Sequence, residues 1–182
     1  MNDKIKLHLG CGKRDFGSDW VHVDGSDFPH VTHHDVTNLP FSENSIDLIY
    51  ASHLFPYFDR EKGLEVLKTW RSLLKNGGTL RLAVTDFEVI AKLYHLKKYG
   101  LNSFVGPLYG KWKVGTDNAY EKTVYDFETL EKALLTAGFH SVNRYDWRDT
   151  EHSHVDDHSQ AYLPHMNKKT GILISLNIEA VK

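Results

Sequence analysis

Two glycines and one acid near the N-terminus have the residue types and the spacing of a ligand-binding turn. Gly10 and Gly12 directly follow the apolar segment 5–9, and Asp24 ends the next apolar segment, 20–24. Glycine has no β-carbon, so the chain can turn sharply at these positions and lie with its backbone against a ligand. An acid that ends the neighbouring strand can accept hydrogen bonds from the two hydroxyls of a ribose. The pattern therefore predicts a nucleotide-type ligand.

The same segment excludes two familiar phosphate-binding turns. A dinucleotide turn has a third glycine three residues after the second, and here Asp15 stands at that position, where its carboxylate would repel a pyrophosphate. A P-loop requires a Gly-Lys-Ser/Thr sequence, which does not follow these glycines at the required spacing. We therefore expect a ligand that has a ribose and no phosphate.

Further along the chain, a histidine and an acid each end a predicted strand. His53 follows the continuous apolar run 46–52, and its imidazole is suited to act as a base near neutral pH. The alternative is a structural histidine that is satisfied by its neighbours. Asp86 either contacts a ligand or caps the next helix. Cys11 is interpreted as a small buried thiol, because no base lies beside it in the sequence.

The polar segment 149–169 is rich in histidine and acidic residues. Such side chains are suitable ligands for zinc, iron or manganese, and a bound metal could help to deprotonate a hydroxyl. Their spacing matches no metal motif, so we predict no metal site and expect the segment to face a substrate. His158 is the second candidate base. The residues concerned are His152, His154, Asp156, Asp157, His158 and His165.

Composition limits the class of protein and its partners. The 182 residues carry a formal net charge of −2 with a pI of about 6.6, so no basic surface indicates a nucleic acid or an anionic membrane. The single cysteine excludes an intrachain disulfide and fits a reducing compartment. The N-terminal apolar segment is too short for a signal peptide or a membrane span. We expect one cytoplasmic domain, residues 1–182.

The elements that would position these residues alternate between strand and helix. Helices are predicted over 59–75, 87–99 and 126–137, the first and last capped by Asp59 and Asp126. This alternation predicts an α/β fold with a doubly wound, Rossmann-like sheet. Strands are predicted over 5–9, 20–24, 30–35, 46–52, 79–86, 140–147 and 171–182.

Two details of this fold are specific enough to test. We expect seven strands, all parallel except the last, which inserts antiparallel between the strands near residues 80 and 142. Asp24 stands only 14 positions after Gly10, which leaves little room for the helix that normally joins two parallel strands.

The segment 100–121 has no clear period and contains five glycines and prolines, so it is predicted to be an ordered or partly mobile loop. Aromatic residues in or beside this loop could pack internally or line an acceptor pocket, and the sequence does not separate the two. They are Tyr109, Trp112, Tyr120 and Tyr125.

Several of these motifs, taken in order, carry a resemblance to a known family. The series LHLGCG, VHVD, HHDVTNLPFSENSIDLIYASH and LLKNGGTLRLAVTD resembles the class I methyltransferases that use S-adenosylmethionine. More narrowly, it resembles the small predicted methyltransferases often associated with sugar and polysaccharide genes. The similarity covers about residues 5–88, and the segment 156–182 is similar to the C-terminal end of that group. The subgroup shares the shortened connection before Asp24.

The resemblance implies S-adenosylmethionine as the cofactor and a role for each matching residue. The glycine turn would lie against the methionine and ribose, Asp24 would bind the ribose, and Asp35 and Val36 would contact the adenine. Ser52 and His53 would face the methyl group, with His53 and His158 as the catalytic candidates. The implied cofactor contacts are Gly10, Cys11, Gly12, Asp24, Gly25, Asp35, Val36 and Ser52.

The chain departs from the family pattern at three places. His8 replaces an acid two residues before the first glycine, and Arg14 replaces a third glycine. In the subgroup, Glu and His commonly stand where this chain has Pro56 and Tyr57. The first two departures lie where the family contacts the methionine end of the cofactor.

Two rival functions follow. One is a non-catalytic protein that binds S-adenosylmethionine or a nucleoside, and the other is a different chemistry on the same fold, such as aminopropyl transfer. A methyltransferase acting on a small-molecule or sugar-type acceptor is the function that we expect. The sequence does not identify the acceptor, the methylated atom or the oligomeric state.

Overall fold

The computed structural model describes residues 4–114 and 116–182, so Met1 to Asp3 and Gly115 of the predicted domain lie outside the described residues. Within these ranges the chain forms a central sheet, two two-stranded ribbons and helices. The helices are α1 (Arg60–Leu73), α2 (Phe87–His95), α3 (Asn102–Tyr109) and α4 (Phe127–Thr136). The strands are β1 (Lys6–Leu9), β2 (Trp20–Val23), β3 (Val31–His33), β4 (Ile46–Ser52), β5 (Leu74–Thr85), β6 (Trp112–Val114), β7 (Asp117–Ala119), β8 (Ser141–Arg144), β9 (Tyr162–Leu163), β10 (Ile172–Leu173) and β11 (Ser175–Val181).

The central sheet has seven strands in the order β3-β2-β1-β4-β5-β11-β8. Strands β1 to β5 are parallel, and β11 runs antiparallel to both of its neighbours, β5 and β8. The α/β class, the seven strands and the insertion of the antiparallel last strand are thereby confirmed. That strand begins at Ser175, because the preceding Ile172–Leu173 pairs with Tyr162–Leu163 in a separate ribbon.

The connection between β1 and β2 contains no helix, as its length predicted. The prediction of a loop over 100–121 is wrong in part. Residues 102–109 form α3, and β6 pairs with β7 in an antiparallel hairpin. A short helix and a short hairpin leave little periodic signal, because each presents too few residues to repeat an apolar pattern.

One face of the sheet is covered by α1 and α4. Asp59 caps α1 by accepting a hydrogen bond from the backbone of Lys62, and Asp126 and Thr129 form a capping box at the start of α4. The helices place apolar side chains against Leu7, Ile49, Leu80 and Ile178 of the strands. The buried helix residues include Val66, Leu67, Trp70, Leu73, Leu130 and Leu134.

The opposite face carries a different cover over its central strands. The strand register places one polar and aromatic row side by side across five strands. Above the row lie Phe16, from the first connection, and His152, from the histidine-rich segment. The sequence predicts helices on both faces, whereas here a short helical turn, His158–Gln160, contacts β5 and β11. The row consists of His22, His8, Tyr50, Arg81 and Glu179.

Candidate functional site

A cavity of about 1030 Å³ opens at the carboxyl ends of the parallel strands. Its walls include the residues that directly follow β1, β2 and β4, as expected for a ligand site in an open parallel sheet. The predicted site residues that line it are Gly10, Gly12, Asp24, Gly25, Asp35, Val36, Ser52, His53 and His158. The structure therefore brings together all the predicted positions except Cys11.

The glycine turn has a backbone that other residues would strain. Gly10 has φ 64° and Gly12 has φ 54°, values that favour glycine. A β-carbon at position 10 would lie 2.9 Å from Cβ of Leu54. Cys11 is not among the residues that line the cavity, and it is completely buried. Burial together with Asp24 raises the pKa of its thiol to about 12. The prediction of an inert buried thiol agrees with this environment.

Asp24 both closes the turn and faces the cavity. Its Oδ2 accepts a hydrogen bond of 2.8 Å from the backbone N–H of Gly12, and its Oδ1 accepts one of 2.8 Å from that of Ser26. Each oxygen of an ionised carboxylate has a second lone pair, so both retain an acceptor site for a ligand hydroxyl. Gly25 follows at the cavity wall.

Asp35 and Val36 are held in place by contacts with their surroundings. Oδ1 of Asp35 accepts hydrogen bonds of 2.8 Å and 2.7 Å from the backbone N–H and the hydroxyl of Thr37, and these bonds lower the pKa of Asp35. The carbonyl of Val36 accepts a 2.8 Å hydrogen bond from Nε1 of Trp70. The segment after β3 is thus tied to α1, with the Val36 side chain left at the cavity wall.

Ser52 and His53 end the central strand β4. The Ser52 hydroxyl is buried and has no hydrogen-bond partner among the described residues, although Ser52 lines the cavity. His53 has φ 51°, and its backbone N–H donates a 2.7 Å hydrogen bond to Ala83. Its Nε2 lies 3.4 Å from Oγ of Ser175. Burial, with smaller contributions from His158 and Arg14, lowers the pKa of His53 to about 3.

His158 faces His53 across the cavity. The two imidazole rings are 5.3 Å apart and nearly perpendicular. Burial and the nearby Arg14 lower the pKa of His158 as well. Its position is fixed by the preceding Asp157, whose carboxylate accepts hydrogen bonds from the Tyr50 hydroxyl and the backbone of Ser159.

The histidine-rich segment divides between two environments. His152 stacks on Phe16 with ring centroids 4.3 Å apart, on the polar face of the sheet, and it does not line the cavity. Asp156, His158 and His165 line the cavity. Across residues 4–114 and 116–182, no group of three or more His, Cys, Asp or Glu residues is placed so that it could hold a metal ion.

Some of the other candidate residues predicted from the sequence, such as Asp86 and Tyr125, have structural roles. Asp86 accepts a hydrogen bond of 3.3 Å from the backbone of Val89 and caps α2, and it also pairs with Arg144. The capping alternative for Asp86 is therefore confirmed. Of the four loop aromatics, Trp112 lines the cavity, Tyr125 packs on Phe55, and Tyr109 and Tyr120 are exposed.

Two of the other residues that line the cavity, Arg14 and Glu121, were not predicted from the sequence as site residues. Nε of Arg14 donates a 3.1 Å hydrogen bond to the carbonyl of Asp156, which joins the glycine turn to the histidine-rich segment. Its replacement of a glycine was the available signal. Glu121 is buried although it is acidic, and it gave no signal because the surrounding segment has no periodicity. Tyr57, noted only as a departure, also lines the cavity.

Comparison with known proteins finds one family model and one curated relative that match part of the chain. Residues 14–82 match the family model described as Methyltransferase domain, a range that contains Asp24, Asp35, Ser52 and His53 and begins after the glycine turn. A demethylmenaquinone methyltransferase of Staphylococcus haemolyticus is 30% identical over 125 residues. That alignment covers 62% of this chain and 48% of the relative, so the chain spans about half the relative's length.

Solved structures show the same fold. An S-adenosylmethionine-dependent methyltransferase from Archaeoglobus fulgidus superposes with a TM-score of 0.61 at 16% identity, covering 100% of this chain and 87% of the other. A putative S-adenosylmethionine-dependent methyltransferase from Listeria monocytogenes superposes with a TM-score of 0.58 at 16% identity, covering 100% of this chain and 92% of the other.

None of the helices in the described part of the chain has the length and apolar character that a membrane span requires.

The comparisons thus show a likeness in part of the sequence and in the fold. Residues 14–82 are similar to a methyltransferase domain, and the chain has the fold of solved structures described as S-adenosylmethionine-dependent methyltransferases.

Proposed function

We propose that this protein transfers a methyl group from S-adenosylmethionine to a small-molecule acceptor. The observation that carries the proposal is the convergence of the glycine turn, Asp24 and the unpartnered hydroxyl of Ser52 on one cavity. A buried hydroxyl without a partner is costly unless a ligand supplies one. Gly10 and Gly12 adopt the positive φ angles that form the turn, and both line the cavity.

The residues present suit this cofactor. Asp24 would accept hydrogen bonds from the ribose hydroxyls, Asp35 and Val36 would contact the adenine, and Gly10 and Gly12 would lie against the ribose and methionine. These roles come from the motif resemblance, and the shared cavity supports them. We further assign Arg14, which lies at the same cavity, to the carboxylate of the methionine part, because a guanidinium matches a carboxylate in charge and shape.

When bound, the cofactor supplies a methyl group on a positively charged sulfonium, and the protein must align the acceptor and keep water out. The hairpin β6–β7 contributes to this enclosure. A β-carbon at Gly12 would lie 3.3 Å from the ring of Trp112, and the carbonyl of Lys113 is 3.5 Å from Oγ of Ser26. The hairpin thus lies over the turn that would hold the cofactor.

His53 and His158 remain the proposed catalytic residues. An efficient general base has a pKa near the working pH, whereas the pKa of His53 is about 3. The low pKa favours a neutral His53 that accepts a hydrogen bond from the acceptor and orients it. It argues against His53 acting as a strong base. An acceptor that needs no strong base, such as a nitrogen nucleophile, fits this environment. A small-molecule acceptor, sugars included, is supported by the size of the cavity.

The experiment is calorimetry with S-adenosylhomocysteine, followed by transfer of radioactive methyl from labelled S-adenosylmethionine to pooled amines, phenols and sugars. Asp24→Ala should weaken binding of S-adenosylhomocysteine roughly tenfold to hundredfold, because a charge-assisted hydrogen-bond pair is lost. Asp27→Ala is the matched control, since Asp27 is exposed three residues away and should bind normally.

Equal affinity in the folded Asp24→Ala variant would remove Asp24 from the ribose role. Binding without transfer to any pooled acceptor would favour the non-catalytic alternative. Transfer of a group other than methyl would favour different chemistry on the same fold.

A further inference from the structure

Glu121 is a buried acid that the proposed methyl transfer does not use. Only 9% of its surface is exposed, and Oε2 has no hydrogen-bond partner among the described residues. No described lysine or arginine forms an ion pair with it, yet the residue lines the cavity. A buried carboxyl without a partner is unfavourable for folding. Its presence at a cavity wall therefore indicates a ligand group.

The backbone on both sides of Glu121 is firmly held. Its own N–H donates a 3.0 Å hydrogen bond to the carbonyl of Tyr109, and the N–H groups of Lys122 and Thr123 donate to the carbonyl of Pro56 at 2.7 Å and 3.2 Å. Pro56 belongs to the turn that follows His53. The main chain at Glu121 is thus fixed relative to the turn that follows His53 at the end of β4.

Tyr57 and Glu121 point to the same place. A β-carbon built on Gly110 would lie 2.9 Å from the Tyr57 hydroxyl and 3.0 Å from Oε1 of Glu121. Both oxygens therefore converge next to Gly110, at the wall of the cavity. The absence of a side chain at position 110 leaves room for both.

The environment of the Tyr57 hydroxyl and the Glu121 carboxyl favours a cationic ligand group. Burial raises the pKa of Glu121 to about 8, and burial together with Glu121 raises the pKa of Tyr57 to about 12. A cation beside Glu121 would compensate the charge that burial disfavours. The cavity wall also contains the rings of Tyr57, Phe58 and Trp112, and aromatic faces attract cations.

We propose that Glu121 and Tyr57 bind a protonated amine of the methyl acceptor, which makes the acceptor an amine-bearing molecule with an apolar or aromatic body. This inference rests on the proposed methyltransferase function, because it assigns the acceptor of the same cavity. The contact is one of recognition. A nitrogen that keeps its proton has no lone pair for the methyl group, so the methylated atom is another atom of the same molecule.

The test compares phenethylamine with 2-phenylethanol, which share a skeleton and differ in the amine. Binding of each to the protein loaded with S-adenosylhomocysteine is measured by ligand-observed NMR. The amine should bind roughly tenfold to hundredfold more tightly than the alcohol, since its hydrogen bond to Glu121 is charge-assisted. Glu121→Gln should abolish this preference, and Tyr57→Phe should reduce it. Glu43→Gln, at an exposed loop position, should retain it.

Equal binding of amine and alcohol by the unmodified protein, absence of amine binding, or full preference in Glu121→Gln would each overturn the proposal. Glu121→Gln should bind S-adenosylhomocysteine normally. If the unmodified protein fails to bind S-adenosylhomocysteine, the cofactor proposal fails, and the same amine comparison without it still tests Glu121. Tyr57→Phe serves as the second variant if Glu121→Gln does not fold.

Discussion

The two faces of the sheet are stabilised by different kinds of interaction. The face under α1 and α4 is apolar, with Leu67 and Trp70 completely buried against the strands. The other face has stacked rings, such as those of His8 and Phe16, whose centroids are 3.9 Å apart. It also has buried hydrogen bonds, such as the 2.9 Å bond that Nδ2 of Asn177 donates to the carbonyl of Ser159. Hydrophobic burial is insensitive to pH, whereas buried histidines and acids are not.

The second face also carries a functional element. The segment that covers it continues into His158, and Asp157 anchors that segment to Tyr50 of β4. Helix packing would have covered the same area but would not by itself have placed an imidazole opposite His53. We therefore expect the helix-covered face to provide most of the stability, while the other face positions part of the site.

The largest effect is expected on the helix-covered face. Trp70→Ala should lower the free energy of unfolding by roughly 3–5 kcal/mol, because it removes a completely buried ring and leaves a cavity. It also removes the hydrogen bond to the carbonyl of Val36. Denaturant unfolding measures the loss. Lys68→Ala, at an exposed position of the same helix, should change stability little. A loss below about 1 kcal/mol for Trp70→Ala would contradict an apolar face that dominates stability.

A smaller effect is expected on the second face. Tyr50→Phe removes the hydroxyl that donates to Asp157 and leaves a buried carboxylate short of one partner. We expect a loss of about 1–3 kcal/mol, by denaturant unfolding, together with faster hydrogen exchange at residues 157–160. Tyr94→Phe is the matched control, since Tyr94 is 56% exposed on α2. Unchanged exchange in Tyr50→Phe would show that the segment is held by other contacts.

A further expected difference between the faces is the dependence of stability on pH. Burial lowers the pKa of His152 to about 4, so between that value and the ordinary 6.5 the unfolded chain binds more protons than the folded one. Stability should therefore fall as the pH falls from 6.5 toward 4, by up to about 1.4 kcal/mol per pH unit from this residue. Burial also lowers the pKa of His8, which adds to the slope.

Denaturant unfolding at several pH values tests this. His152→Phe should have a shallower pH dependence than the unmodified protein. Leu134→Ala, on the helix-covered face, should lose the same stability at pH 7 and pH 5. If the stability of His152→Phe depends on pH as steeply as that of the unmodified protein, the histidines of the second face do not control acid stability.

Much of the fold could be predicted from the sequence because its signals are local. Apolar periodicity and the caps Asp59 and Asp126 located α1 and α4, and the run 46–52 located the central strand. The short spacing before Asp24 predicted a connection without a helix. The segment containing α3 and the β6–β7 hairpin was missed because each element is too short to show a period. The bounds 1–182 for the domain and a cytoplasmic location remain predictions.

Some residues of the candidate site could also be located from the sequence, and others could not. Glycines and acids that directly follow strands could be located from the sequence, since the carboxyl ends of parallel strands meet at one edge. Only the tertiary structure decided that His152 packs on the polar face of the sheet while His158 lies next to His53, and that Glu121 is buried beside Tyr57. Which side chains are buried, and which lie next to each other, depends on contacts between segments far apart in the chain. The sequence determined which groups were present, whereas packing determined which of them share the cavity and how their pKa values shift.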